Sequence, residues 1–341
     1  ISTRDWSSDV CSSDLESTEE AQEEKDPLIP EIDTSVELQA GSRVAVVSKS
    51  TSGEFWGLVK KGMEQAIADV NEAYGFKKED QVTMTFEGAS DEKDVESQVN
   101  TIDAVIAENP DVLCVSASDM DSLQAQLEAA KENGIPVVAF DSGVTDSKMV
   151  RAFRGTDNTR VGEIAAYRLA TAIGKMGKVA VFSAQEKTQS IQERVSGFTN
   201  YITNYPDIEV VEIVYQDQVD DMTAAMQEVL DKYPQLDGVF CDNADIADLY
   251  LDMKKDETKD SIVMVGVDAT AKQQEAIWNS KEVGVVSQQP YAMGYQTIWT
   301  ALLTTAPKKS VEIKRNVRID PAWIDSSNID DPTYSSYLYA N

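Results

Sequence analysis

From Arg43 onward, short apolar runs rich in β-branched residues alternate with longer amphipathic patterns. Runs at 43–48, 82–87, 111–116, 136–140, 150–154, 178–183, 208–214, 237–241, 262–267 and 284–288 read as strands. Stretches such as 93–108, 121–133, 158–174, 219–232 and 290–304 read as helices between them. Parallel neighbours in a sheet need a crossover, usually helical, so this alternation predicts an α/β architecture with parallel sheets covered by helices on both faces. One strongly twisted open sheet rarely holds more than ~10 strands. Two doubly wound lobes are therefore the better division of so many runs.

The stretch RVAVVSKSTSGEFWGLVKKG, residues 43–62, shows how such a unit could present a ligand site. Val44–Val47 form a buried strand, Ser48–Gly53 a polar turn, and Phe55 and Trp56 open the next helix. In open α/β sheets, ligands bind beyond the carboxyl ends of the strands. Two aromatics there can offer a flat apolar wall, or both rings can simply pack the helix. Other strands end in short planar polar residues: PVVAFD at Asp141, GVFCDN at Asn243, IVMVGVD at Asp268 and GVVSQQ at Gln288. Asp accepts hydrogen bonds, while Asn and Gln both donate and accept, so such groups can pair with vicinal hydroxyls. Arg194, in QSIQERVSGF, adds a rigid donor fork. Each residue alone could be a helix cap or turn residue. Collectively they suit a neutral polyol whose C–H faces stack and whose hydroxyls hydrogen-bond.

Composition removes several alternatives. The 341 residues carry 60 acidic and 30 basic side chains, a net charge of −30, which argues against non-specific binding to nucleic acid or to anionic membranes. There is no histidine, so histidine acid–base catalysis and histidine metal sites are excluded. No Gly-x-Gly-x-x-Gly or phosphate-loop lysine motif follows any strand, which weakens nucleotide-binding readings. Cys11, Cys114 and Cys241 fit no metal spacing; Cys114 and Cys241 fall in apolar runs and read as buried thiols. No metal, cofactor, disulfide or enzymatic activity is expected.

The N-terminal region differs from the rest. Residues 1–15, ISTRDWSSDVCSSDL, resemble translated sequencing-adapter DNA and are set aside as an artefactual segment. Residues 16–41 are rich in glutamate and read as an acidic disordered tether.

The chain from about Arg43 to about Ile324 resembles a periplasmic sugar-binding protein of the ribose-binding type, the type I solute receptor of an ABC importer. The resemblance rests on VVSKSTSGEFWGLVKKGM, NPDVLCVSASDMDSL, NGIPVVAFDSGV, RGTDNTRVGEIAA, QERVSGF, DGVFCDNADIA, VMVGVDAT and VVSQQPYAMG, in family order. It implies two doubly wound lobes joined by a three-segment hinge, with the sugar clamped between them. The lobes would comprise 42–155 with 289–312, and 156–288 with 313–325, leaving 326–341 as a C-terminal tail. It places Phe55 and Trp56 at the stacking positions, and Asp141, Arg194, Asn243, Asp268 and Gln288 at the hydroxyl-gripping ones. Two departures alter one side of the pocket. Ser142 stands where ribose binders carry arginine, and Gly53-Glu54 replaces their Asn-Pro.

The resemblance implies a monomeric extracytoplasmic receptor, periplasmic or a cell-surface lipoprotein, that delivers a monosaccharide or polyol to a permease by hinge closure. The native signal sequence would be absent from this chain, and any membrane attachment would run through a lost upstream lipid anchor. A LacI-type regulator shares the sensor fold but needs a basic helix-turn-helix before it, where this chain is acidic. A chemoreceptor-linked sugar sensor is a further alternative.

Overall fold

The computed structural model describes residues 26–254, 261–307 and 311–339. The first lobe runs β1 (Arg43–Ser48), α1 (Gly53–Tyr74), β2 (Thr83–Gly88), α2 (Val95–Ala107), β3 (Val112–Val115), α3 (Gln124–Glu132), β4 (Val137–Phe140) and β5 (Ala152–Thr156). The second runs α4 (Asn158–Ala172), β6 (Gly177–Ser183), α5 (Gln189–Ile202), β7 (Ile208–Tyr215), α6 (Met222–Lys232), β8 (Gly238–Cys241), α7 (Ala244–Met253), β9 (Val263–Val267), α8 (Ala271–Trp278) and β10 (Gly284–Ser287). The chain then returns to the first lobe as α9 (Pro290–Thr305) and β11 (Asn316–Ile319), and crosses back for β12 (Ala322–Ile324).

The two six-stranded sheets follow the orders β2-β1-β3-β4-β5-β11 and β7-β6-β8-β9-β10-β12. The orders superpose element for element, so β1 corresponds to β6, β4 to β9 and β5 to β10. All pairings are parallel except β10 with β12. The central strands are buried on both faces, which is why they read as continuous apolar runs rather than alternating ones.

Helix α1 buries Trp56, Val59, Met63, Ala66 and Val70, spaced three, four or seven apart along one stripe. Fully burying one large apolar side chain contributes about 1.5–3 kcal/mol. Against this stripe lies α9, started by Pro290 at its first turn and buried along most of its length. The two helices meet through glycines: a Cβ at Gly62 would lie 2.0 Å from the Tyr291 carbonyl oxygen, and one at Gly294 2.1 Å from that of Val59. The corresponding pair in the second lobe, α4 and α5, meets the same way through Gly162 and Gly197.

Three expectations from the sequence shift. The sequence reading places residues 313–325 in the second lobe, but β11 within them pairs in parallel with β5 of the first. The edge of β5 leaves backbone groups that need partners, and β11 supplies them, so the third crossing falls at Asp320–Pro321. The tether expected over 16–41 is packed where it can be described. Val36 and Leu38 are buried in the first-lobe core, Ile29 and Ile32 lie against it, and the Tyr74 hydroxyl donates to the Val36 carbonyl at 2.7 Å. Its first residues, 16–25, and the segment 1–15 with Cys11 lie outside the described residues. The tail expected from 326 onward also packs: Ile329 is buried, and Tyr334, Tyr337 and Leu338 cover Ala269, Ile277, Val285 and Ile324.

Cys114 and Cys241 are buried free thiols on β3 and β8, and burial pushes both pKa values up. No group of metal-binding side chains occurs among the described residues, and no helix among them is long and apolar enough to cross a membrane.

Candidate functional site: the cleft between the lobes

The carboxyl ends of both sheets open onto one cleft of about 590 Å³, within the usual range of about 300–1,000 Å³ for small-molecule sites. All seven residues singled out in the sequence line it: Phe55, Trp56 and Asp141 from the first lobe, Arg194, Asn243 and Asp268 from the second, and Gln288 at the second crossing.

The two aromatics take different places. Neighbours on a helix point about 100° apart, so only one can face the cleft fully. Phe55 is half-buried, whereas Trp56 is 4% exposed and belongs to the first-lobe core. Their rings meet edge to face at 5.1 Å, and the Trp56 indole N–H donates to Glu92 Oε1 at 2.7 Å.

Asp141 is the first residue after β4 and is 3% exposed. Its Oδ2 receives Lys49 Nζ at 3.0 Å, the Ser116 hydroxyl at 2.9 Å and the Ser142 hydroxyl at 3.0 Å. Lys49 follows β1 directly, is itself buried, and also reaches Glu92 at 3.4 Å. Burial alone would lower its pKa; Asp141 and Glu92 reverse that and hold it above the ordinary lysine value. Ser142 also hydrogen-bonds Ser190 of the second lobe at 2.9 Å.

In the second lobe, Arg194 donates Nε–H to Asn158 Oδ1 at 2.8 Å and Nη1–H to the Asp242 carbonyl at 2.7 Å, which fixes the plane of its guanidinium. The Asp242 carboxylate behind it is fully buried. Desolvation pushes its pKa up to about 6, against the Ser183 hydrogen bond, the Arg194 charge and the Ala184 N–H. Asn243 caps α7 through Oδ1, which accepts from Ile246 N–H at 2.9 Å.

Asp268 follows β9. Its Oδ1 accepts from Gln288 Nε2 at 2.7 Å and from the Tyr339 hydroxyl at 2.8 Å, and its Oδ2 from Ala244 N–H at 2.9 Å. Gln288 Oε1 in turn accepts from the Thr156 hydroxyl at 2.7 Å. Gln288 thereby ties the first crossing to Asp268, and both ends of its amide are engaged within the protein.

Among the residues that the sequence pattern does not single out are Lys49, Glu92, Ser190 and Asp245 at the cleft and, behind Asp268, Tyr339. Lys49 alone carried a usable signal, since it follows a strand end as the others do. Asp245, on the first turn of α7, is crowded by both lobes. Loss of water, and then Glu92, Asp268, Asp248 and Asp91, push its pKa up to about 6. Eight carboxylate residues line the cleft against three cations, Lys49, Lys93 and Arg194. This balance repels anions.

The lobes also touch directly. Thr188 Oγ1 donates to the Ser118 carbonyl at 2.5 Å, Gly143 N–H to Gln189 Oε1 at 2.6 Å, and Ala271 N–H to Glu54 Oε2 at 3.0 Å.

Comparison with known proteins agrees with this architecture. The family model described as "Periplasmic binding protein domain" matches residues 44–306. The ribose import binding protein of Bacillus subtilis (strain 168) is 27% identical over 203 residues, 60% of this chain. The match spans 66% of that relative, just under two thirds of its length. The structure of an ABC transporter solute binding protein from Agrobacterium vitis, described with bound D-fucose, has a TM-score of 0.78 at 29% identity, covering 87% of this chain and 100% of that one. A Brachyspira murdochii structure, described both as an ABC transporter and as a LacI family transcriptional regulator, has a TM-score of 0.72 at 25% identity, covering 87% of this chain and 98% of that one. Solute-binding proteins of this kind are not enzymes. The family model covers most of the chain, and the paired lobes are matched end to end by solved solute receptors; the chain belongs to the periplasmic binding protein family.

Proposed function

We propose that this chain is an extracytoplasmic receptor that binds a neutral monosaccharide or related polyol between its lobes and delivers it to an ABC transporter permease. The observation that carries the reading is the lining of the cleft. Acceptors Asp141 and Asp268 come from corresponding strand ends of the two lobes, with the Arg194 donor fork and the Phe55 ring beside them. Hydroxyls answer acceptors and donors alike, and a sugar's C–H face suits an aromatic wall. The excess of carboxylates disfavours sugar phosphates and sugar acids. Relatives described as binding ribose and D-fucose support the ligand class without choosing a member. The crossings at Thr156, Gln288 and Asp320 give a hinge, and closure favours the bound state by the ligand's differential affinity for closed over open.

Calorimetric titration with D-ribose, D-arabinose, D-fucose, xylitol and myo-inositol, with ribose 5-phosphate and gluconate as anionic controls, tests the ligand class. Binding of at least one neutral compound and neither anion is expected. Binding of the anions alone, or of nothing in the panel, refutes the polyol reading. A regulator reading is favoured only by the description of the Brachyspira structure. It predicts that the native gene product binds operator DNA; recovery of that product in the membrane fraction with the permease excludes it.

A further inference from the structure

Residues beyond β12 return to the cleft. Asp325 accepts from the Trp323 indole N–H at 2.6 Å and starts a turn that buries Ile329. A 3₁₀ turn, Pro332–Tyr337, then packs over the apolar patch beside β10. Two hydrogen bonds pin the segment on either side of Leu338: Ser287 Oγ to the Tyr337 carbonyl at 2.5 Å, and Tyr339 N–H to the Ala269 carbonyl at 3.1 Å. Both anchors immediately flank site residues, Gln288 and Asp268. The Tyr339 side chain turns inward, is 7% exposed, donates to Asp268 Oδ1, and sets its ring 6.1 Å from that of Phe55 in the other lobe.

We propose that Tyr339 is a positioning and specificity-determining residue of this cleft, supplied by the C-terminal segment. A carboxylate has about four lone-pair directions. In Asp268 three are taken, by Gln288, Tyr339 and Ala244 N–H. One remains, so Asp268 accepts from a single ligand hydroxyl in a direction that the phenol and the glutamine amide set together. The phenol is suited to this duty because it stays a donor: burial, followed by the nearby Asp268 charge, holds its pKa well above the ordinary tyrosine value. The same ring, fastened to the second lobe, meets Phe55 of the first. The contact is made only when the lobes are together, so it adds an apolar increment to the closed form.

The inference rests on the polyol reading for its ligand and is independent of it for its contact. Both parts are tested in the full-length chain carrying Cys11→Ser and nitroxide labels at two exposed positions, Lys60 on α1 and Glu275 on α8. Tyr339→Phe keeps the ring and removes the donor. It is expected to melt as the parent does, to bind D-ribose, D-arabinose or D-fucose about tenfold more weakly, and to change the ratio of affinities among the three. Tyr339→Ala is expected to lose more affinity and to move the interlobe distance distribution of the sugar-free protein to longer values. Unchanged affinity ratios in Tyr339→Phe with unchanged distances in Tyr339→Ala overturn the proposal, even if both variants melt lower. If the parent binds none of the three sugars, the ligand reading fails, and the distances in Tyr339→Ala still decide whether the segment holds the lobes together.

Discussion

Asp141 and Asp268 occupy the same place in the two lobes, each the first residue past the fourth strand of its sheet, and each has left-handed backbone geometry, with φ of 56° and 80°. For residues other than glycine this conformation costs about 1–2 kcal/mol. Aspartate tolerates it better than most. Here the strain turns both carboxylates into the cleft and is held by the hydrogen bonds each makes. Strain of this kind clusters at ligand clamps.

Asp268→Asn exchanges one oxygen for a donor in a site already supplied with donors from Gln288, Tyr339 and Ala244. At least one donor is then left unmatched, at a cost of about 1–3 kcal/mol. Sugar affinity is expected to fall tenfold or more, since about 1.4 kcal/mol is a factor of ten. Titration of wild type and mutant with the same sugar checks this; equal affinities would remove Asp268 from the site.

Lys49→Met is expected to destabilise the first lobe by about 3–5 kcal/mol, the range for stripping one partner from a buried ion pair. It leaves Asp141 and Glu92 facing each other without a cation. The folded pKa of Lys49 is raised, so its stabilising contribution is complete below the unfolded lysine value, 10.5, and is lost as pH rises through the folded one. Urea unfolding should therefore give a wild-type–mutant gap that is flat from pH 6 to 9 and narrows only at strongly alkaline pH.

Glu282 is buried behind β9, with Oε2 unpartnered among the described residues and Oε1 3.4 Å from Gln273 Nε2. Burial holds its pKa well above the ordinary glutamate value of 4.5, so the folded protein keeps a proton that the unfolded chain releases. The sign follows: stability falls as pH rises above about 4.5, until the folded pKa is passed. Glu282→Gln should flatten that slope and raise the melting temperature at pH 7 relative to wild type. Parallel melting curves across pH 5–8 for both proteins would contradict it.

Deleting the chain through Gln39 uncovers the first-lobe surface under Val36, Leu38, Ile29 and Ile32. A loss of about 2–4 kcal/mol is expected, from the area removed less the entropy recovered by the unfolded chain. Unchanged denaturant midpoints would restore the reading of this segment as a mere tether.

Strands β1–β10 and the seven residues that line the cleft were legible because the signals are local: apolar runs, polar residues just past several of them, two adjacent aromatics opening α1 and an arginine on α5. What escaped was carried by distance or masked by composition. The pairing of β11 with β5 joins residues far apart, and its short NVRI sequence has no pattern of its own. Tyr339 meets Asp268 across 71 residues, and nothing near either marks the other. Residues 26–41 carry enough acid to read as solvated, which hid five apolar residues, Leu28, Ile29, Ile32, Val36 and Leu38. Trp56 sinks into the core while Phe55 meets the cleft, a division that adjacency on a helix imposes but a motif does not display.

The return of α9 and β11 to the first lobe bears on how the molecule is made. A chain leaving the ribosome completes α1 early, yet Tyr295, Ile298, Trp299 and Leu302, which cover it, are synthesised only after the entire second parallel sheet up to β10. Until then the face of α1 that α9 meets, at Gly62, Val59 and Met63, lacks its cover, a surface for holding by a chaperone or for loss to aggregation. The second lobe in turn waits for β12 to pair with β10. No single cut of this chain yields an intact first lobe, and both sheets receive their last strands, β11 and β12, only after β10 has been made.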